Sequence, residues 1–112
     1  MTHYKPGDVV LVDVVFADGS GVKKRPALII SSDEYHKSRQ EVIIAAVTSN
    51  TRRILCGDSE VKEWKEAGLL FPSVVTGIIQ TIKVGMIDRK LGVLLETDLQ
   101  DTRKNLKIAL KI

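Results

Sequence analysis

The chain of 112 residues has one cysteine, so no intramolecular disulfide can staple it, and Cys56 has no neighbouring ligand with which to build a metal site. A lone thiol of this kind reads as an inert, buried or half-buried side chain rather than a nucleophile. Aromatic residues make up only 4%. That is too few for a sheet that reads single strands by stacking base after base on exposed rings. No apolar run approaches a membrane-spanning helix, and the opening Met1-Thr2-His3-Tyr4-Lys5-Pro6-Gly7 lacks the apolar stretch of a secretory signal. The expected address is the cytoplasm, with no membrane partner. Repeats, low-complexity tracts and linkers are also missing, so a single domain over 1–112 is expected.

What is present suits a globular domain. A hydrophobic content of 44% supports a core without staples, since a domain of this size buries roughly two thirds of its unfolded surface. Charged residues at 28% give a normal soluble exterior, and a net charge of +3 with pI near 9.1 biases the surface mildly toward anionic partners such as nucleic acid.

Periodicity predicts mainly strands. Val9 to Phe16 is apolar and β-branched and runs into the turn-rich Ala17-Asp18-Gly19-Ser20-Gly21; Ala27 to Ser31 returns as an antiparallel partner. Ser32-Asp33 ahead of Glu34-Tyr35-His36-Lys37 supplies an N-cap and an acidic first turn for a short helix, and Val42 to Val47 is a buried strand ending in the polar corner Thr48-Ser49-Asn50-Thr51. A short strand is expected around Ile54-Leu55. Val61, Trp64 and Ala67 share a helical face that Asp58 or Ser59 can cap and Gly68 can end. Ser73 to Ile82 and Met86 to Leu95 are further strands, with Gly77, Gly85 and Gly92 at bends or bulges. Thr97-Asp98-Leu99-Gln100 reads as a capping box opening a terminal helix with Leu99, Leu106 and Leu110 near one stripe. Close-spaced short strands suggest a small barrel.

Within this frame Arg25-Pro26 stands out. It joins the basic run Lys23-Lys24-Arg25 to the apolar run Ala27-Leu28-Ile29-Ile30. Proline holds its own φ and pushes the preceding residue into extended geometry, so Arg25 is a permanently charged fork on a stiff base at a strand mouth. The plainer reading is a solvated strand edge that discourages aggregation. If the strands starting at Ala27 and ending at Thr48 are antiparallel neighbours, Arg25 and Thr48 share one end of the sheet. No trustworthy Ser-His-Asp spacing, Gly-rich phosphate loop or His/Cys/Asp metal cluster is present. His3 and His36 read as surface residues away from the strand ends. RNA, however, supplies its own nucleophile in the 2'-hydroxyl, and an arginine with a hydroxyl can orient and stabilise its phosphodiester without a cofactor.

Taken in order, Gly7-Asp8-Val9-Val10-Leu11-Val12, Lys24-Arg25-Pro26-Ala27-Leu28-Ile29-Ile30-Ser31, Val42-Ile43-Ile44-Ala45-Ala46-Val47-Thr48-Ser49 and Pro72-Ser73-Val74-Val75 resemble the successive signatures of the MazF/PemK/Kid toxin family. The resemblance covers nearly the whole chain. It implies an SH3-like small barrel with a C-terminal helix, usually a homodimer. It further implies a metal-independent, sequence-selective endoribonuclease of single-stranded RNA that leaves a 2',3'-cyclic phosphate and a 5'-hydroxyl and is neutralised by a cognate antitoxin. By position in those motifs Arg25 matches the catalytic arginine and Thr48 the threonine acting with it. Lys23, Lys24, Ser49, Asn50, Arg52, Arg53 and Gln80 are the candidate RNA-binding residues. The expected antitoxin contact is an acidic, partly disordered segment folding across the basic groove.

One departure separates this chain from the pattern. Many relatives carry an acidic residue, often with a basic neighbour, just after Ser-Val-Val, where this chain reads Thr76-Gly77-Ile78-Ile79-Gln80. Proton abstraction would then fall to solvent or a partner subunit. Two further readings remain beside the nuclease: a non-enzymatic toxin of the related CcdB type that binds a topoisomerase, and a plain SH3-like binding module.

Overall fold

The β-branched runs become strands, as side chains that pack well on a pleated surface should. A computed structural model of the chain describes residues 3–15 and 21–112; Phe16 and the turn-rich stretch Ala17 to Ser20 lie outside the described residues. Strands β1 (Asp8–Val15), β2 (Val22–Ile29), β3 (Glu41–Thr48), β4 (Ser59–Val61), β5 (Ser73–Lys83) and β6 (Ile87–Val93) form one antiparallel sheet in the order β4-β5-β3-β2-β1-β6. Helix α1 (Asp33–Arg39) joins β2 to β3, a single 3-10 turn at Val84–Met86 carries Gly85 between β5 and β6, and helix α2 (Glu96–Leu110) closes the chain.

Both faces of the sheet are packed. Leu28 and Ile29 are fully buried although they are sequence neighbours, because consecutive strand residues point to opposite faces and each face has its own core. Val9, Leu28, Ala45, Val47 and Val75 pack on one side with Leu99 of α2. Val10, Val12, Ala27, Ile29, Ile44 and Ile87 pack on the other around Tyr4. Truncating Leu28 to alanine should cost about 2–5 kcal/mol.

The two sheet edges are drawn together by a backbone contact that only glycine permits. Gly68 has φ of 86°, and a Cβ there would lie 2.2 Å from the Leu91 carbonyl oxygen; a Cβ at Gly92 would lie 2.4 Å from that of Ala67. The turn that follows edge strand β4 thus lies directly on edge strand β6, curling the sheet into a half-barrel and covering an edge that would otherwise invite pairing. Gly92 also sits at a register shift of the β1–β6 ladder, and Gly77 falls within the irregularity that separates Val47↔Val75 from Ala45↔Ile79.

Several local expectations change once tertiary contacts are in place. Ile54-Leu55 is not a strand: both side chains are exposed, and the backbone N–H of Leu55 donates to Asp58 Oδ2 at 2.8 Å in a turn. The helix expected through Val61, Trp64 and Ala67 is instead strand β4, with Ser59 and Val61 facing inward, followed by consecutive turns. Pairing of Glu60 with Val74 holds β4 extended, and capture of the Lys62 and Glu63 N–H groups by Asp98 fixes the turns that follow, where the spacing favoured a helix.

The same Asp98 accounts for the missing capping box. Helix α2 starts at Glu96 with Leu95 as its N-cap and no side-chain cap; Thr97 lies inside, and Gln100 bonds Glu96. Of the proposed stripe, Leu99 and Leu106 are buried but Leu110 is exposed, and in the last turn it is Ala109 that lies against Gly57. Cys56 is exposed on a turn rather than buried. His36 is a half-buried brace, with Nδ1 on the Tyr4 carbonyl at 3.1 Å and Nε2 on Ser31 Oγ, whereas His3 is exposed as expected.

Candidate active site

The β2–β3 register decides the geometry. Ala27 faces Ala46, Leu28 faces Ala45 and Ile29 faces Ile44. Carrying that register two residues further sets Arg25 across from Thr48. Pairing between β2 and β3 stops at Ala27, so Pro26, which has no N–H to give, stands where the two strands have already parted and breaks no bond between them. The parted ends open into a groove of about 820 Å³ whose walls include Arg25, Thr48, Ser49 and Gln80.

Alternation fixes which neighbours share the groove face. Arg25 pairs with the buried Val12, two residues ahead of the buried Ala27, and therefore projects from the face of the Tyr4-centred core. Lys23 lies on that same face, two residues back. Lys24 points the other way, where its Nζ meets Asp13 Oδ1 at 2.8 Å and Asp88 Oδ1 at 3.1 Å. Hydrogen bonds that Lys24 donates to Asp13 and then to Asp88 raise its pKa above the ordinary lysine value. The structure thus brings Arg25, Thr48, Ser49 and Gln80 together and leaves Lys24 outside the groove.

Thr48 is half-buried, and its Oγ1 accepts the Asn50 N–H at 3.1 Å, which leaves the hydroxyl proton free to donate. Asn50 Oδ1 accepts from the Arg52 N–H at 3.2 Å. Arg52 and Arg53 are exposed on the loop that continues from this corner and are not part of the groove wall. That loop is anchored at its far end: Asp58 Oδ1 accepts the Gly77 N–H at 2.8 Å, while Asn105 donates to the Asp58 carbonyl at 3.2 Å and to Ser59 Oγ at 2.7 Å.

Two contributions escaped the sequence reading. Arg89 of β6 lines the groove, and so do Leu70 and Phe71, which are 82% and 62% exposed. Alternation from the buried Ile87 could not have found Arg89, because a register shift separates Val12↔Ile87 from Leu11↔Arg89. None of the groove-lining residues is acidic, and neither Arg25 nor Arg89 has a carboxylate partner among the described residues. The stretch after Ser73-Val74-Val75 adds no carboxylate; Thr76 Oγ1 donates to the Ala46 carbonyl at 2.7 Å and braces β5 against β3. Among the described residues no group of three or more His, Cys, Asp or Glu side chains is placed to hold a metal ion. No described helix is long and apolar enough to cross a membrane.

A groove with two unneutralised guanidinium groups and an oriented hydroxyl can hold a phosphodiester and stabilise negative charge as it develops. Comparisons place this arrangement in a known context. The fold resembles the Mycobacterium tuberculosis toxin MazF-mt6, with 26% identity, coverage of 94% of this chain and 97% of that one, and a TM-score of 0.76. It also resembles an endoribonuclease solved in complex with its cognate antitoxin from a mycobacterial species (21% identity, coverage 97% and 96%, TM-score 0.77). A MazE–MazF structure from Deinococcus radiodurans is similar as well (18% identity, coverage 100% and 99%, TM-score 0.82). A comparison with proteins of curated function returns no match. Residues 5–110 match the family described as PemK-like, MazF-like toxin of type II toxin-antitoxin system, and the chain belongs to that family.

Proposed function

We propose that this toxin is a metal-independent, sequence-selective endoribonuclease that cleaves single-stranded RNA beside Arg25 and Thr48. The 2'-oxygen attacks the adjacent phosphorus and the P–O5' bond breaks, leaving a 2',3'-cyclic phosphate; the departing 5'-oxygen takes up a proton and ends as a 5'-hydroxyl. Arg25 donates to the nonbridging oxygens as charge accumulates there. A guanidinium stays protonated near neutrality, so it acts as a clamp and not as a base. Thr48 donates its hydroxyl proton to a phosphate oxygen or orients the 2'-hydroxyl. The proton of the 2'-hydroxyl leaves to solvent or to a group of a second subunit, because the described residues of the groove wall include neither carboxylate nor histidine.

The single observation that supports this reading is that Arg25, which has no ion-pair partner among the described residues, and the Thr48 hydroxyl line one groove where β2 and β3 part. Lys23, Ser49, Asn50, Arg52, Arg53 and Gln80 hold the flanking nucleotides; Lys24, engaged by two aspartates, adds only long-range charge. The working form is a cytoplasmic homodimer, inhibited when an acidic segment of its antitoxin folds across the same basic groove.

The deciding experiment is incubation of the purified protein with a long single-stranded RNA in EDTA. Discrete fragments with cyclic phosphate ends are expected, with binding that weakens as salt rises because phosphate contacts release counterions. Intact RNA would overturn the proposal. The lack of an acid or histidine among the described groove residues gives the topoisomerase-binding alternative its footing, and intact RNA together with inhibition of a topoisomerase would establish it.

A further inference from the structure

Among the described residues Phe71 is the one aromatic side chain on the groove wall, and more than half of its surface is open. Its placement is not that of a loose surface residue. Pro72 restricts the Phe71 backbone to extended geometry, and the Ser73 hydroxyl donates to the Phe71 carbonyl at 2.7 Å, so the ring stands on a stiffened turn. Leu70 beside it is more exposed still. Arg89 completes the setting. The register pairs it with Leu11, across a shift from the Ile87↔Val12 pair and on the opposite side of β1 from β2, and Leu11 lines the groove as well.

The groove is also too large for the reacting linkage alone. Its volume of about 820 Å³ lies near the upper end of the roughly 300–1,000 Å³ that encloses whole drug-sized ligands, so more than one nucleotide fits. An occupant must satisfy a flat apolar platform and a cation within the same wall, where no carboxylate competes. A nucleobase with its phosphate matches both demands: every base has a π-face to stack, and its phosphate accepts paired hydrogen bonds from a guanidinium.

We propose that Phe71 and Arg89 form a second nucleotide subsite, in which Phe71 stacks a base next to the scissile step and Arg89 holds the phosphate of that nucleotide. The proposal rests on the ribonuclease reading of the groove. Phe71 and Arg89 are binding residues for a flanking nucleotide and take no part in bond cleavage.

The test uses the full chain and a single-site RNA chosen from the fragments cut in EDTA. Phe71→Ala and Arg89→Ala should each raise KM for that RNA by about 10-fold or more while kcat stays within twofold of the unmodified protein. Phe71→Trp should keep the original KM, and its fluorescence, measured against the Trp64 background, should change when a non-cleavable RNA with a 2'-deoxy scissile nucleotide is added. An abasic nucleotide at one flanking position should weaken binding to the unmodified protein and leave Phe71→Ala unaffected. If the unmodified protein cuts RNA but both alanine variants keep its KM, the subsite is wrong and the nuclease reading stands. A fall in kcat for Arg89→Ala at saturating RNA would place Arg89 on the reacting phosphate and overturn the assignment. A change in oligomeric mass for Phe71→Ala would assign the ring to a subunit contact instead. An unmodified protein that neither cuts nor binds RNA would remove both readings together.

Discussion

Lys24 and Arg25 are adjacent in sequence and opposite in circumstance. Lys24 stands on one face of β2 between Asp13 and Asp88, its charge answered twice within hydrogen-bond distance. Arg25 stands on the other face, over a groove whose described wall residues include a second arginine and no acid. Burial does not separate them, since both are exposed. What separates them is the company that strand alternation gives each. A cation paired on a sheet surface is a structural element, whereas a cation kept clear of carboxylates on the rim of a groove is available to an anionic ligand.

The contrast is broken most forcefully at Arg25. Arg25→Ala should slow RNA cleavage by about 10²- to 10³-fold, the usual loss for one preorganised donor, while the melting curve stays in place. Single-turnover cleavage and circular dichroism measure the two effects separately. At the other end of the molecule Asp98 is a charge with purely structural partners: its two oxygens accept the Lys62 and Glu63 N–H groups, at 3.1 Å and 2.9 Å, while the residue is 2% exposed. Asp98→Ala leaves both donors without their acceptor and should lower stability by about 2–4 kcal/mol in denaturant unfolding.

Thr48→Val keeps the shape of the residue and deletes the donor, so cleavage should fall by about 10- to 100-fold, as expected when a hydrogen bond to a charged group is lost. Lys24→Ala should leave cleavage unchanged and shift the melting temperature only slightly, as exposed ion pairs contribute little. The sign of its pH dependence is fixed. Because the Asp13 and Asp88 contacts raise the Lys24 pKa in the folded state, their contribution is complete below the ordinary lysine pKa and disappears as pH climbs through the raised value. Lys24→Ala should therefore flatten the alkaline limb of the stability profile and leave the neutral region alone.

The long strands and the terminal helix were legible because their patterns are strong. Val42 to Val47 and Ser73 to Ile82 have the composition of buried strands, and each lies within an observed strand. Ser32 as the cap of α1 was equally plain, and its side chain accepts the Tyr35 N–H at 3.2 Å. Where sequence reasoning failed, a distant residue had outbid local preference. Val61, Trp64 and Ala67 do turn toward the core, as helical spacing suggested, yet Asp98 and strand β5 hold their backbone in other conformations. Thr97 lost its capping role because the chain enters α2 one residue earlier, at Glu96. Cys56 followed its turn to the surface.

By itself, the order of amino acids determined the strand-forming segments, the stiff mouth at Arg25-Pro26 and the family signatures that point to a toxin, since backbone restriction and β-branching act within a few residues. The meeting of Arg25 with Thr48, the diversion of Lys24 to the far face, and the arrival of Arg89 and Phe71 at the same groove were decided only by the folded sheet. Those juxtapositions depend on register, bulges and the Gly68–Gly92 crossing. Each of these is a contact between segments far apart in the chain, whose energy no local pattern contains.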